Sequence, residues 1–240
     1  MRAFHHLSML AFATGIAAIV GTFSFNNALA EPSSPAGVSS TVAPMVTPLA
    51  DIGRGTSLDT LKVLPSAFDT AALKIAIVPV HVEYSKQKHD PQPYYRETDF
   101  QLNERDVALL QQTVAEAFTK AWFEKRHWQL VTDPATADIR LVIEFKELWL
   151  AAPLNESIHV AKTYTEESAR FTLAGRIERT SDQQHLTEFS DKRRLRQMGM
   201  QPNRFERFSA VTFWRDMRRE LDTVAGQLNR HVPAGTSLGT

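Results

Sequence analysis

The chain carries 27 basic and 27 acidic side chains over 240 residues, so nothing in its net charge draws it to nucleic acid or to a lipid surface. It has no cysteine, which excludes disulfides, thiolate metal sites, cysteine nucleophiles and the usual lipid attachment behind a signal. A hydrophobic share of 43% with 22% charged residues is ordinary globular composition, and the length suits one domain of roughly 150–170 residues with appendages.

Residues 1–30 read as a secretory signal. Arg2 sits in a short basic start, Leu7 to Val20 is apolar apart from small Ser, Thr and Gly, and Ala28-Leu29-Ala30 is a small-x-small site. Cleavage is expected after Ala30. The competing reading is an uncleaved anchor, since Leu7 to Phe25 is nearly long enough to span a bilayer. Both readings send the body out of the cytoplasm, most simply to a bacterial periplasm. Membrane contact is expected only if the segment stays, and no nucleic acid partner is expected.

Residues 31–70 read as a linker and a partly ordered lead-in. Pro32, Pro35, Pro44 and Pro48 stand among Ser, Thr, Ala and Val without apolar periodicity. Further on, Leu58, Leu61, Val63 and Leu64 suit either a helical turn or a docked extended segment, and Pro65 interrupts both.

The domain proper is expected over 71–232, with 233–240 as a tail. KIAIVPVHVEY, Lys74 to Tyr84, is rich in β-branched residues and predicts a strand covered on both faces. Pro79 inside it cannot donate a ladder hydrogen bond, so the strand should lie by an edge or bulge there. The polar stretch Ser85 to Gln101 is a long loop, a kind that is often functional.

Asn103 is a good N-cap with Asp106 three residues on, and Val107, Leu110, Val114, Phe118 and Ala121 recur at helical spacing up to Lys125-Arg126. A short strand is expected at His127 to Val131, and a turn at Asp133-Pro134. From Asp138 to Leu150, Ile139, Leu141, Ile143 and Phe145 alternate with polar residues. The phase slips at Lys146-Glu147, which predicts a β-bulge. Ala169, Phe171, Leu173 and Ile177 mark another strand, with Arg170, Thr172, Arg176 and Glu178 pointing outward. Leu186 to Met198 follows, and its KRRLR run suits a sheet edge guarded by charge.

The last helix is expected from about Ser209 to Arg230, with Val211, Trp214, Met217, Leu221, Val224 and Leu228 as its apolar stripe. The fold class that follows is α+β: one small domain, a mixed, mostly antiparallel sheet of about five strands, and two helices packed on one face.

The eight histidines include no His-x-x-x-His or His-Glu-x-x-His pair. There is no Gly-x-Ser-x-Gly elbow and no phosphate-cradling glycine loop. No catalytic residue, metal ligand or cofactor is therefore named. Two candidate surfaces remain. Tyr94, Tyr95 and Arg96 in the long loop have the composition of a partner-binding site, or else fold back over the core rim. Lys192, Arg193, Arg194 and Arg196 open a basic stretch reaching Arg219, which suits an anionic glycan, a lipid or an acidic partner, or else a solvated edge.

KIAIVPVHVEY, LNERDVALLQQTVAEAF, QLVTDPATADIRLVIEF, NRF and FWRDMRRELD in this order resemble an uncharacterised bacterial envelope family over Leu64 to Arg230. Many members of that family are lipoproteins, whereas this chain lacks the lipobox cysteine. In layout the family is similar to small periplasmic α/β modules that assist envelope machines, such as the lipoprotein activators of penicillin-binding proteins. The resemblance implies no catalytic residue. The function expected first is a non-enzymatic envelope module docking to another periplasmic or outer-membrane component. A binding module for an anionic glycan or lipid and an unrecognised hydrolase are the alternatives.

Overall fold

The computed structural model describes residues 48–52, 55–64, 73–89, 95–154, 164–195 and 206–232. Ala30, Tyr94 and Arg196 lie outside them.

The elements in chain order are β1 (Ala50–Asp51), β2 (Thr60–Val63), β3 (Lys74–Ile77), β4 (His81–Tyr84), α1 (Glu104–Phe118), β5 (Gln129–Leu130), β6 (Ile139–Leu150), β7 (Tyr164–Thr165), β8 (Ala169–Arg179), β9 (His185–Leu195), β10 (Glu206–Arg207) and α2 (Ala210–His231). The main sheet has eight strands in the order β1-β2-β9-β8-β6-β3-β5, with β4 also on β6, and β7 and β10 form a separate pair. The class is α+β, as expected, but the strands outnumber the expected five.

Each added strand has a local cause. Pro79 splits the Lys74–Tyr84 strand. β3 and β4 both run parallel to β6, and between them the Val80 N–H leaves the ladder and donates to the Gln111 side chain of α1 at 2.6 Å. β2 is the docked extended form of the lead-in: Leu61 and Val63 bury into the core while Thr60 and Lys62 stay out.

Where β2 docks corrects a second expectation. Thr60–Val63 pair antiparallel with Thr187–Ser190, so the first half of β9 is an interior strand and only its cationic half runs past the sheet's last partner. There the Lys192 N–H donates instead to the Asp59 carboxylate at 2.9 Å.

The long strands β6, β8 and β9 form an antiparallel meander. Partners shift between Lys146 and Trp149, and Glu147 takes a left-handed φ of 54°, so the bulge expected at Lys146-Glu147 is present. It keeps Leu148 and Leu150 in the core after the slip. α1 opens on the Asn103–Asp106 capping box, the Asp106 N–H donating to the Asn103 Oδ1 at 2.9 Å. α2 opens on a Ser209–Thr212 box.

The core lies between one face of the meander and the helices. Ile139, Leu141, Ile143 and Phe145 of β6 and Phe171, Leu173 and Ile177 of β8 meet Leu110, Val114 and Phe118 of α1 and Phe213, Met217, Leu221 and Leu228 of α2. α2 is therefore turned at its start relative to the expected stripe. Phe213 is fully buried, Trp214 only half-buried, and Val211 is 79% exposed. With Val211, Phe213 and Trp214 all apolar, sequence leaves the phase of that first turn open, and the sheet chooses Phe213.

Candidate functional site

The helix-free face of the meander carries the outward residues of β6, β8 and β9, and it divides into two ends. Toward the β8–β9 turn the charges are closed among themselves. Arg176 bridges Glu144 at 3.0 Å and Glu178, Lys146 holds Glu144 at 3.0 Å, Arg140 reaches Glu178 at 3.6 Å, and His185 meets Glu188 at 2.7 Å. The Lys146 hydrogen bond, with Arg176 beside it, holds the Glu144 carboxyl below its ordinary range against the opposing effect of burial.

The other end is different. Arg170 lies directly across from Arg194, and Thr172 across from Lys192. Two like charges opposite each other on neighbouring strands repel. Glu167, nearly buried, sits against both guanidiniums, 3.5 Å from Arg170 and 3.9 Å from Arg194. Lys192 is exposed and makes no ion pair among the described residues. Arg170, Thr172, Lys192 and Arg194, with Ser85, Gln87 and Glu147, line a groove of about 350 Å³. Phe171 and Arg193 also line it, with the Arg193 guanidinium held by carboxylates on the helix side. The remaining cations Arg170, Lys192 and Arg194 face one lining carboxylate, Glu147, and the adjacent Glu167. The groove therefore offers guanidinium, ammonium, amide and hydroxyl donors on a rigid sheet.

Arg170 is fixed from behind. Its guanidinium stands 4.4 Å from the Trp149 ring centre and donates to the Gln87 side-chain oxygen. Trp149 stacks on His89 at 5.2 Å, and His89 on Phe100 at 3.6 Å, so four planar groups form one column. His89 Nε2 donates to the Leu150 carbonyl at 2.6 Å, and its Nδ1 faces the Glu97 carboxylate at 3.3 Å. Through this column His89 and Phe100 are pinned at the end of the open face. Tyr95 is half-buried with its ring edge-on to Phe100 at 5.8 Å, while Arg96 is exposed at the start of a 3-10 turn.

The basic run of the sequence is not one patch. Lys192 and Arg194 stand on the open face. Arg193 has the opposite parity and lies on the helix side, bound to the buried Asp191 and to Glu220 of α2 at 2.8 Å. Arg193 therefore borders the groove without offering its charge to it: strand alternation turns the guanidinium away, and two carboxylates already hold it. Burial raises the Asp191 carboxyl above its ordinary value even with Arg193 alongside. Arg215 and Arg218 belong to α2, paired with Asp216 and with Glu116 of α1. The sequence pattern puts Arg170 and Thr172 on the outward parity without joining them to Lys192 and Arg194. Gln87 and Trp149 carry no separate signal, and Glu167 shows only as one of two adjacent carboxylates, Glu166-Glu167.

Among the described residues, no group of three or more His, Cys, Asp or Glu side chains is placed to hold a metal ion. No described helix is long and apolar enough to cross a membrane.

No protein-family model matches the chain, and no curated protein matches it. Among solved structures the chain is similar to a PelC dodecamer subunit from Paraburkholderia phytofirmans, at 7% identity and a TM-score of 0.39 over 70% of this chain and 94% of that one. A DUF330 protein from Xanthomonas campestris gives 12% identity and a TM-score of 0.37 over 70% and 88%. Lipoprotein GNA1162 from Neisseria meningitidis gives 11% identity and 0.29 over 54% and 87%. Likenesses at this level transfer no ligand, assembly or activity to this chain.

Proposed function

We propose that the chain is an exported, non-enzymatic binding module of the bacterial cell envelope. Its open sheet face takes a carboxylate- or phosphate-bearing group of an envelope component in the groove of Arg170, Lys192 and Arg194. One observation carries this reading. The charges at one end of the face are closed into ion pairs, whereas at the other Lys192 stands without an ion-pair partner among the described residues beside two guanidiniums that share one carboxylate. Export rests on the signal read at residues 1–30.

The test is a titration of the purified exported protein with an acidic oligosaccharide (an oligogalacturonate) and, separately, with glycerol phosphate. Binding that weakens with salt and disappears in Lys192→Glu/Arg194→Glu supports the groove. The first probe reports carboxylate recognition, the second phosphate. Equal binding by the variant, or none by the wild type, overturns it.

A second reading is protein docking through the loop of Tyr94, Tyr95 and Arg96. The His89 column favours it by fixing His89 and Phe100 on either side of these residues in the chain, which lowers the ordering cost of binding. Cross-linking in the native envelope, repeated with Tyr94→Ala/Tyr95→Ala, separates the two: a partner lost there but kept in the groove variant assigns docking to the loop.

A further inference from the structure

The first turns of α2 carry an outward stripe that the groove does not use and that meets the core only through Trp214. Val211, Trp214, Arg215 and Arg218 follow one another at helical spacing, while Phe213, Met217 and Leu221 take the core side. Val211 is 79% exposed, and the half-buried Trp214 rests edge-on against Phe213 at 4.9 Å.

The same end of the molecule holds a second exposed apolar group. Tyr164, 56% exposed, pairs across the β7–β10 ribbon with Arg207. β10 passes into α2 through only Phe208 and the N-cap Ser209. Of the large hydrophobic side chains exposed among the described residues, Leu130, Tyr164 and Val211, two therefore flank this junction.

The same two elements, β10 and α2, carry cations. Arg207, Arg215, Arg218 and Arg219 are all exposed. Arg215 leans on Asp216 at 3.2 Å and Arg218 on Glu116 at 3.6 Å, whereas Arg207 and Arg219 make no ion pair among the described residues.

Each ingredient alone is ordinary, since single exposed apolar residues need no explanation. Together, one aliphatic tip, an indole and a phenol on elements that also carry four exposed guanidiniums match the headgroup level of a bilayer. There Trp and Tyr rings settle, and each Lys or Arg gains from anionic lipid. A protein partner would ask for roughly 800 Å² of complementary surface, and a few apolar side chains among solvated arginines do not supply that. We infer that the end of the molecule formed by β7, β10 and the start of α2 rests on an anionic lipid surface. Val211 enters between headgroups, Trp214 and Tyr164 lie at their level, and the four arginines meet the phosphates. This contact is separate from the groove and from any N-terminal anchor.

The experiment is flotation of the exported protein, its N-terminus fixed by intact mass, with phosphatidylcholine vesicles with and without phosphatidylglycerol. The protein should float only with the anionic vesicles. Arg215→Gln/Arg218→Gln should weaken binding by roughly five-fold for each guanidinium removed. Val211→Asp should abolish it with an unchanged melting temperature, because Val211 makes little contact with the core. Lys192→Glu/Arg194→Glu should float as the wild type does, so failure of the groove reading leaves this result standing. Three outcomes overturn the inference: no flotation on anionic vesicles, flotation unaffected by both stripe variants, or a concentration-dependent dimer in solution that Val211→Asp dissolves. The last would assign the stripe to a second copy of the chain.

Discussion

Arg193 and Arg194 are neighbours in the chain, yet they work on opposite sides of the sheet. Arg193 faces the helices, its side chain 15% exposed, clamped between Asp191 and Glu220. Arg194 faces solvent at 63% exposure, with only a 3.9 Å approach to Glu167. A run of like charges on a strand is thus two populations. Those of one parity tie the sheet to a helix, and those of the other are available to a ligand. Electrostatic content summed along sequence misses this, because a strand sorts its residues by alternation.

The sharpest test of that division is Arg193→Ala. It leaves Asp191 buried without its cation and Glu220 without its partner. Breaking a buried pair from one side costs about 3 kcal/mol or more, whereas Arg194→Ala should stay within about 0.5 kcal/mol. Chemical denaturation of both variants checks this. Equal losses would mean that the two faces do not differ. The Arg193→Ala loss should also be larger at pH 8 than at pH 5, because an orphaned Asp191 can escape its penalty by taking a proton.

Packing on the core face offers the next test. Gly175 faces Ile143 and Phe189 across its two strand neighbours, and a methyl group there would lie 2.3 Å from the Phe189 ring. Phe189 is buried and cannot swing away. Gly175→Ala should therefore cost about 1–3 kcal/mol by overpacking, read as a lower denaturation midpoint. The flanking outward position Ala174→Ser should be nearly neutral.

Two carboxylates carry the same comparison into pH. Asp191 on the helix side has its pKa raised by burial above the ordinary 3.8. Its folded form prefers the proton, so its contribution is fully present below the unfolded pKa and is lost as pH rises through the folded value. Glu144 on the open face has its pKa lowered below the ordinary 4.5 by Lys146 first and Arg176 after burial. Its contribution is present above the unfolded pKa and is lost as pH falls through the folded value. Relative to wild type, Asp191→Asn should therefore gain stability as pH rises from acid toward neutral, and Glu144→Gln should lose it. Parallel slopes in the two variants would contradict the assignment of these groups to different environments.

Much of this architecture was readable from local sequence because local rules produce it. The Asn103–Asp106 box needs two residues three apart. The bulge at Lys146-Glu147 shows as a phase slip within one strand. What was not readable depends on distant segments. β2 covers the first half of β9 although more than a hundred residues separate them in the chain, so the strand taken for an edge is interior there. The groove and the ring behind it draw Gln87, Arg170, Lys192 and Trp149 from separate stretches, and no spacing links them. At the start of α2, Phe213 and Trp214 are adjacent, and only the sheet decides which one goes inward.

The smallest expected stability effect is the most informative about function. Lys192→Glu/Arg194→Glu changes two side chains that project into the groove from an open face. Lys192 has no ion-pair partner to lose among the described residues, and exposed pairs such as Arg194–Glu167 contribute roughly 0–1 kcal/mol. The fold and melting temperature should barely move, and charge of either sign protects the unpaired half of β9 equally well. The groove, however, becomes more negative by four units of charge, since two cations become two anions. Anion binding should fall below detection, and the weakening of wild-type binding with added salt should vanish with it, because exposed charges are screened over about 10 Å at 0.1 M. Arg193→Gln is the control. Arg193 lines the groove, but its guanidinium is held on the helix side by Asp191 and Glu220, so the change should lower the melting temperature while leaving anion affinity within about two-fold, a difference of roughly 0.4 kcal/mol. If instead Arg193→Gln abolished binding and the double groove variant spared it, the ligand would sit between β9 and α2, and the open face would be only the solvated side of the sheet.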